Sequence, residues 1–206
     1  MITTDQLKKS NWWNNHLKDG SKDLAEFADW IKGYDQPTKN YCRKYVISKK
    51  YKTIVDCGSG LAAEYFGYKS ENSEIDYTGL DSCDYLIETN KKAGVKMVKG
   101  DLEEELPLKD NQFEVVYCKA VLEHLRTPFV ALKEFIRAAE KEVLIGWFIK
   151  PDNKPSKINY WEAENLYHNK YNKKEIEDFL QSQQKVKSFK WHNINKRENV
   201  LHIYLV

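Results

Sequence analysis

A few acids, glycines and histidines carry the chemistry open to this sequence. The first group lies in Thr53-Ile54-Val55-Asp56-Cys57-Gly58-Ser59-Gly60-Leu61-Ala62, where a β-branched run ends in an acid and two glycines follow one residue apart. The pattern predicts a buried strand, a tight turn and a helix that starts beneath a bound cofactor. Glycine suits the turn because a Cβ would hold a ligand away from the backbone. Asp56 bears on the charge of that ligand. A dinucleotide lays its pyrophosphate over such a turn, and a neighbouring carboxylate repels it. A cofactor with an ammonium and a sulfonium would be attracted instead. The second group is Ile75-Asp76-Tyr77-Thr78-Gly79-Leu80-Asp81, a predicted strand ending in a carboxylate about 23 residues after Gly58. An acid there is placed to hold ribose hydroxyls in a doubly wound fold. Asp81 could also cap the helix predicted near Cys83-Asp84-Tyr85. Asp101 lies in the acidic stretch Asp101-Leu102-Glu103-Glu104-Glu105, a composition that is often simply solvated.

Further strands are predicted at Val95–Lys99, Gln112–Cys118 and Glu142–Trp147, alternating with helical patterns, so the sheet should be parallel and built of βαβ units. Taken together, the ordered segments Val-Asp-Cys-Gly-Ser-Gly, Gly-Leu-Asp, Lys-Gly-Asp-Leu and Phe-Glu-Val-Val-Tyr-Cys running into Val-Leu-Glu-His-Leu resemble the class I methyltransferases that use S-adenosylmethionine, over roughly residues 50 to 150. The resemblance implies a Rossmann-like, doubly wound α/β fold with seven strands, mostly parallel and closed by an antiparallel hairpin. The segments Val186–Trp191 and Val200–Val206 match that hairpin, after an amphipathic helix from about Lys173 to Gln181. It also implies that Asp56, Gly58, Ser59 and Gly60 surround the methionine end of the cofactor. Asp81 and Ser82 would meet the ribose, Asp101 and Leu102 the adenine, and Cys118 the floor of the site. The position of the family's usual third glycine is held by Ala62.

Two flanking regions should decide the methyl acceptor. Residues 1–48 are expected to form an N-terminal helical cap on a catalytic domain spanning 49–206. Leu24, Phe27, Ala28, Trp30 and Ile31 recur at helical spacing, Gly33-Tyr34-Asp35-Gln36-Pro37 breaks that helix, and another runs from about Thr38 to Ser48. Trp12 and Trp13 are adjacent, so one can pack while the other, assigned here as Trp13, borders a cavity. The second region, about 148–171, follows the fifth strand on the face where open α/β sheets bind ligands. Its Tyr160, Tyr167, Asn169 and Tyr171 offer flat rings and hydrogen-bonding groups suited to a ring-bearing polar small molecule such as a sugar or heterocycle.

Methyl transfer from a sulfonium needs an aligned nucleophile, a dry site and often a general base, most commonly histidine. His124 is the leading candidate and His168, on the presumed lid, the second; each has a purely structural alternative. Some relatives hold a divalent ion with Glu-x-x-Glu-His. Here Glu123 and His124 are present but Ala120 fills the first position, and losing a carboxylate weakens a hard-cation site, so no metal is expected.

Composition narrows the remaining classes. The 206 residues suffice for one α/β domain with a helical extension, and the net charge of +2 gives no bulk attraction to nucleic acid or membrane. Nucleic-acid methylation is further disfavoured because Cys118-Lys119-Ala120-Val121 replaces the Asn/Asp-Pro-Pro-aromatic motif after the fourth strand, and no Pro-Cys nucleophile motif occurs. The lysines between Lys185 and Lys196 read as a solvated face. Cys42, Cys57, Cys83 and Cys118 lack Cys-x-x-Cys spacing, in keeping with reduced thiols and a cytoplasmic location. The start Met1-Ile2-Thr3-Thr4 lacks a signal-peptide pattern, and no apolar run is long enough to span a bilayer. The expected activity is methylation of a small polar metabolite or glycan precursor. Two rivals stand beside it: an NAD(P)-dependent oxidoreductase, since Gly58–Ala63 formally fits Gly-x-Gly-x-x-Gly/Ala, and a catalytically silent binding or regulatory protein of the same fold.

Overall fold

The computed structural model of the chain describes residues 9–10, 12–17, 26 and 36–206. The helix expected around Leu24–Ile31 and its breaker at Gly33–Asp35 fall outside the described residues, Glu26 apart. Of the expected cap, α1 (Trp12–His16) and α2 (Pro37–Ser48) are described. Pro37 opens α2 at a position where its missing N–H costs nothing.

Seven strands form one sheet: β1 (Thr53–Cys57), β2 (Asp76–Asp81), β3 (Lys96–Lys99), β4 (Phe113–Lys119), β5 (Ala139–Trp147), β8 (Val186–Asn193) and β9 (Asn199–Leu205). Their order is β3-β2-β1-β4-β5-β9-β8. The first five are parallel, and β9 runs antiparallel to both β5 and β8. This is the mostly parallel seven-stranded sheet with a closing hairpin that the sequence implied. The chain reverses its direction of winding between β1 and β4, so a crevice opens above their carboxyl ends. A parallel sheet must be covered on both faces. Ile54, Val115 and Tyr117 point towards α2 and α3 (Ala63–Ser70), packing with Cys42, Val46 and Tyr68. Val55, Val116 and Cys118 point the other way, towards α5 (Phe129–Ala138) and α6 (Lys173–Ser182), with Leu132, Phe135, Ile176 and Leu180. Between β2 and β3, α4 (Asp84–Lys92) buries Leu86 against Cys83, Leu17 and the α1 tryptophans.

The segment after β5 contains a small hairpin, β6 (Tyr160–Trp161) against β7 (Leu166–Tyr167), which strands of two residues are too short to announce by alternation. No helix among the described residues is long and apolar enough to cross a membrane.

Candidate active site

A cavity of about 1170 Å³ opens over the carboxyl ends of β1, β2 and β4. Cavities that hold one ligand run from about 300 to 1,000 Å³, so there is room for a cofactor and a small second molecule. Its first end is built largely from backbone. Gly58 and Gly60 adopt φ of +74° and +56°, which glycine takes without strain. The amides of Gly58 and Ser59 donate to the Leu80 carbonyl at 2.8 and 3.1 Å, tying the turn to the end of β2. A Cβ on Gly58 would lie 2.5 Å from Val121 Cγ2, so this glycine is needed for packing as well as for its dihedral. Ala62, in place of a third glycine, is also left-handed at φ +51°, and it is fully buried.

Asp81 reaches back across this turn. Its Oδ2 accepts from Gly60 N at 2.9 Å and its Oδ1 from Cys83 N at 3.0 Å, and burial raises its pKa. Asp81 is not the N-cap of α4, which is Cys83, but it ties the turn before that helix, and it lines the cavity with Ser82. Asp101 and Leu102 form the far wall. Asp101 Oδ1 accepts from Glu103 N at 2.9 Å, while Oδ2 pairs with Lys9 at 2.8 Å. Lys9, Ser10 and Trp13 also line the cavity.

Deeper in, Asp56 accepts a 2.6 Å hydrogen bond from the Tyr77 hydroxyl, and burial lifts its pKa to about 7. It thus carries only part of a charge near neutrality, and a cation beside it would restore the whole. Next to it stand Lys39, Glu64 and Tyr117. Glu64 Oε2 pairs with Arg43 at 3.1 Å, but among the described residues its Oε1 is buried without a hydrogen-bond partner, as are Tyr117 Oη and Ser59 Oγ. Burial lowers the pKa of Lys39, opposed by the charge of Glu64.

His124 sits at the end of a single 3-10 turn, Leu122–His124, and lines the same cavity. Its Nδ1 lies 2.6 Å from the Tyr167 carbonyl oxygen, so the neutral ring donates there and keeps Nε2 as the acceptor. Burial pushes its pKa down to about 4. The rings of Trp13 and Phe148 stand 5.7 and 5.6 Å from the imidazole. Beneath it, Glu123 Oε1 accepts from the amides of Phe148 and Ile149 at 2.8 and 3.1 Å, and burial raises this acid to about 7. Among the described residues no three His, Cys, Asp or Glu side chains are grouped to hold a metal ion.

Several residues assigned from the sequence lie elsewhere. Cys118 is fully buried in the core on the α5–α6 face. Side chains alternate along a strand, and the cavity-facing residue is its neighbour Tyr117, which is paired in register with Asp56. His168 does not line the cavity; its Nε2 is 3.1 Å from Glu164 and its ring packs on Trp161. Tyr160, Tyr167, Asn169 and Tyr171 do not line it either. Tyr160 binds Asn165, the lid residue that does reach the cleft. Asn169 Nδ2 donates to Leu125 O at 2.7 Å and its backbone N to Glu123 O at 2.8 Å. The Tyr171 hydroxyl lies 3.0 and 2.9 Å from the carbonyl oxygens of Leu122 and Leu125. The lid's polar groups thus support the turn that carries His124. Buried backbone carbonyls need such partners, and nothing in a residue's type says whether it will serve them or a ligand.

Other cavity residues were not anticipated: Lys39, Glu64 and Lys119, and Asn195, Arg197 and Glu198 from the β8–β9 turn. One signal could have found the turn. A hairpin whose second strand runs antiparallel to β5 must place its connection at the carboxyl edge of the sheet, above the crevice.

Comparison with known proteins fits this geometry. Residues 55–145 match the family model of a methyltransferase domain. Residues 55–145 are a class I methyltransferase domain. Its cofactor class is accordingly S-adenosylmethionine, and the matched residues run from β1 into β5. Among curated proteins no sequence matches the chain. Solved structures share the fold at low identity. A SAM-dependent methyltransferase, possible histamine N-methyltransferase, from Thermotoga maritima superposes with a TM-score of 0.61 at 17% identity, over 89% of this chain and 96% of that one. Magnesium protoporphyrin IX methyltransferase from Synechocystis, solved with bound SAH, gives 0.62 at 12% over 95% and 93%. A phosphoethanolamine N-methyltransferase from Haemonchus contortus, in complex with phosphomonomethylethanolamine and S-adenosylhomocysteine, gives 0.65 at 13% over 95% of this chain and 60% of that one.

Proposed function

We propose that this methyltransferase acts on a small polar acceptor, a metabolite or glycan precursor, in the space beside His124. The observation that carries this reading is the single cavity shared by the Gly58–Gly60 turn, Asp81 and His124, larger than one cofactor requires. The three structural neighbours are named for different acceptors, so the fold alone selects none.

The cleft fits S-adenosylmethionine on its own chemistry. Asp81 and Ser82 line the cavity and would hold the ribose, and Asp101 and Leu102 on its far wall would flank the adenine. Ser59 Oγ, Tyr117 Oη and Glu64 Oε1 are polar atoms in want of partners, and Asp56 and Lys39 offer opposite charges to an amino acid's ammonium and carboxylate. Bound there, the cofactor supplies a methyl group already activated by its sulfonium. The chain's own residues seat the acceptor, exclude water and take up a proton. His124 receives that proton at Nε2, while the Tyr167 carbonyl holds Nδ1–H and fixes the ring. The depressed pKa keeps the imidazole unprotonated at neutral pH, and proton transfer becomes favourable as attack acidifies the acceptor. Of the N-terminal region, Lys9, Ser10, Trp13 and Gln36 border the cleft, which supports a role for it as a cap, and the chain works in the cytoplasm.

Thermal unfolding with S-adenosylmethionine, S-adenosylhomocysteine, NAD and NADP tests the cofactor assignment. A ligand at 100 times its dissociation constant adds about 2.7 kcal/mol, roughly 5–10 °C for a domain of this size. The adenosyl ligands should give that shift and Asp81→Ala should remove it. A shift with a nicotinamide cofactor alone would overturn the reading. Methyl transfer to small polar compounds, followed with a labelled methyl group, tests the acceptor class.

A further inference from the structure

The charged groups of the cleft are not balanced in their partnerships. Each carboxylate near the β4 end is engaged: Asp56 by the Tyr77 hydroxyl, Glu64 by Arg43, and Glu198 by Asn195 Nδ2 at 2.9 Å. Arg43 is fully used, with contacts of 2.6 Å to Glu71, 3.1 Å to Glu64 and 2.5 Å to Asn40. The remaining cations at this end are less well served. Lys39 makes no hydrogen bond or ion pair among the described residues. Lys119 is the last residue of β4, with a side chain only 11% exposed. It donates to the neutral Gln36 Oε1 at 3.1 Å and approaches Glu198 no closer than 3.8 Å. Among the described residues Arg197 is engaged only through its backbone, its N donating to Asn195 Oδ1 and its carbonyl accepting from Lys150 N.

A nearly buried ammonium without a close carboxylate is expensive to keep, and an anion that completes its shell recovers that cost. The cofactor can supply one carboxylate. Lys39, beside Asp56 and Glu64, is placed at its amino-acid end. Lys119 and Arg197 are left over, on the side of the cleft that includes Phe148 and the β8–β9 turn.

We propose that Lys119 and Arg197 bind an oxyanion carried by the methyl acceptor, a carboxylate or a phosphate, with Gln36 and Asn195 as neutral partners. This rests on the methyltransferase reading above and narrows the acceptor to anionic molecules. It gives the β8–β9 turn a role in choosing the substrate, and it makes Lys119 the residue that fixes where the anion sits relative to the transferred methyl.

The test uses the full chain loaded with S-adenosylhomocysteine, so that the cofactor's own anion site is filled. Inorganic phosphate and acetate are then titrated by calorimetry at constant ionic strength, with chloride as the control for simple screening. Phosphate or acetate should bind the loaded protein, and whichever binds more tightly identifies the oxyanion. Lys119→Gln and Arg197→Gln should each weaken it by about tenfold, the scale of a lost charged hydrogen bond, while affinity for S-adenosylhomocysteine stays the same. Arg197 is exposed on a turn, so its variant keeps the test valid if Lys119→Gln fails to fold. Lys119→Arg should retain anion binding. If the loaded wild-type chain takes up neither anion, or both variants bind as it does, the inference falls while the cofactor assignment stands. If S-adenosylhomocysteine itself fails to bind, it is the methyltransferase reading that fails.

Discussion

The two ends of the cleft are built on different principles. The cofactor end is mostly backbone: two left-handed glycines, amides bonded to Leu80, and Asp81 bonded to Gly60 and Cys83. The proposed acceptor end is mostly side chain, with Gln36, Lys119, His124, Phe148 and Arg197 brought from four separate stretches. A backbone-built site is intolerant of added atoms and forgiving of many side-chain changes. A side-chain-built site is the reverse, which is how one fold can keep its cofactor and change its acceptor.

The largest expected effect separates the ends directly. His124→Gln should lower kcat by about 10²–10⁴, the range for a lost general base, and leave affinity for S-adenosylhomocysteine within about twofold. Single-turnover methyl transfer and calorimetry on the same variant give both numbers. A fall in cofactor affinity equal to the fall in rate would mean that His124 belongs to the cofactor end, and the comparison would break.

Gly58→Ala is the converse. Its Cβ meets Val121 and its backbone must hold φ +74°. The left-handed conformation costs an alanine about 1–2 kcal/mol and overpacking about 1–3 kcal/mol more. Affinity for S-adenosylhomocysteine should drop by about a hundredfold. Adding Val121→Ala should restore part of it, because that relieves the contact and not the dihedral. Full restoration would show that steric contact with Val121 was the whole constraint.

These contrasts also explain what the sequence made legible. The strands β1 to β5, the Gly58–Gly60 turn and Asp81 follow from local patterns: β-branched runs, a glycine pair, an acid at a strand end. Those patterns are contiguous because the physical requirement is on the backbone itself. Tyr117 was passed over for Cys118, one residue away, since a strand buried on both faces shows no alternation from which to read its two sides. The lid's Asn169 and Tyr171 have the right chemistry for a ligand, yet they satisfy carbonyls of the 122–125 turn. Lys119, Asn195 and Arg197 carry no local signal; only the place of the hairpin antiparallel to β5 brings its turn to the crevice. Surface-like residues become cavity residues only through topology.

A smaller effect tests that one-residue difference. Tyr117→Phe removes a buried hydroxyl that has no partner among the described residues, so stability should change little while affinity for S-adenosylhomocysteine falls by about three- to tenfold, the worth of one hydrogen bond. Cys118→Ala, on the opposite face, should cost stability and leave affinity alone. Equal loss of affinity in both would mean that binding senses the strand as a whole and that the two faces are not distinct.

The smallest effect is a pH dependence, and its sign is diagnostic. Asp56 titrates at about 7 in the free protein because burial disfavours its charge. An ammonium placed against it favours the carboxylate, so binding should lower that pKa and release a proton. Affinity for S-adenosylhomocysteine should therefore rise with pH from about 5.5, by at most tenfold per unit, and level off above about 7. Calorimetry in buffers of different ionisation enthalpy should detect up to about half a proton released at pH 7 and almost none at pH 8. Glu123 also titrates near 7, but its carboxylate is bonded to the amides of Phe148 and Ile149 at the acceptor end. Asp56→Asn separates the two: it should flatten the profile if the proton comes from the cofactor end. A profile unchanged in Asp56→Asn would assign the proton to another group. An affinity that falls as pH rises would mean that Asp56 binds as the neutral acid, and the charge argument drawn from its place beside the glycines would have to be abandoned.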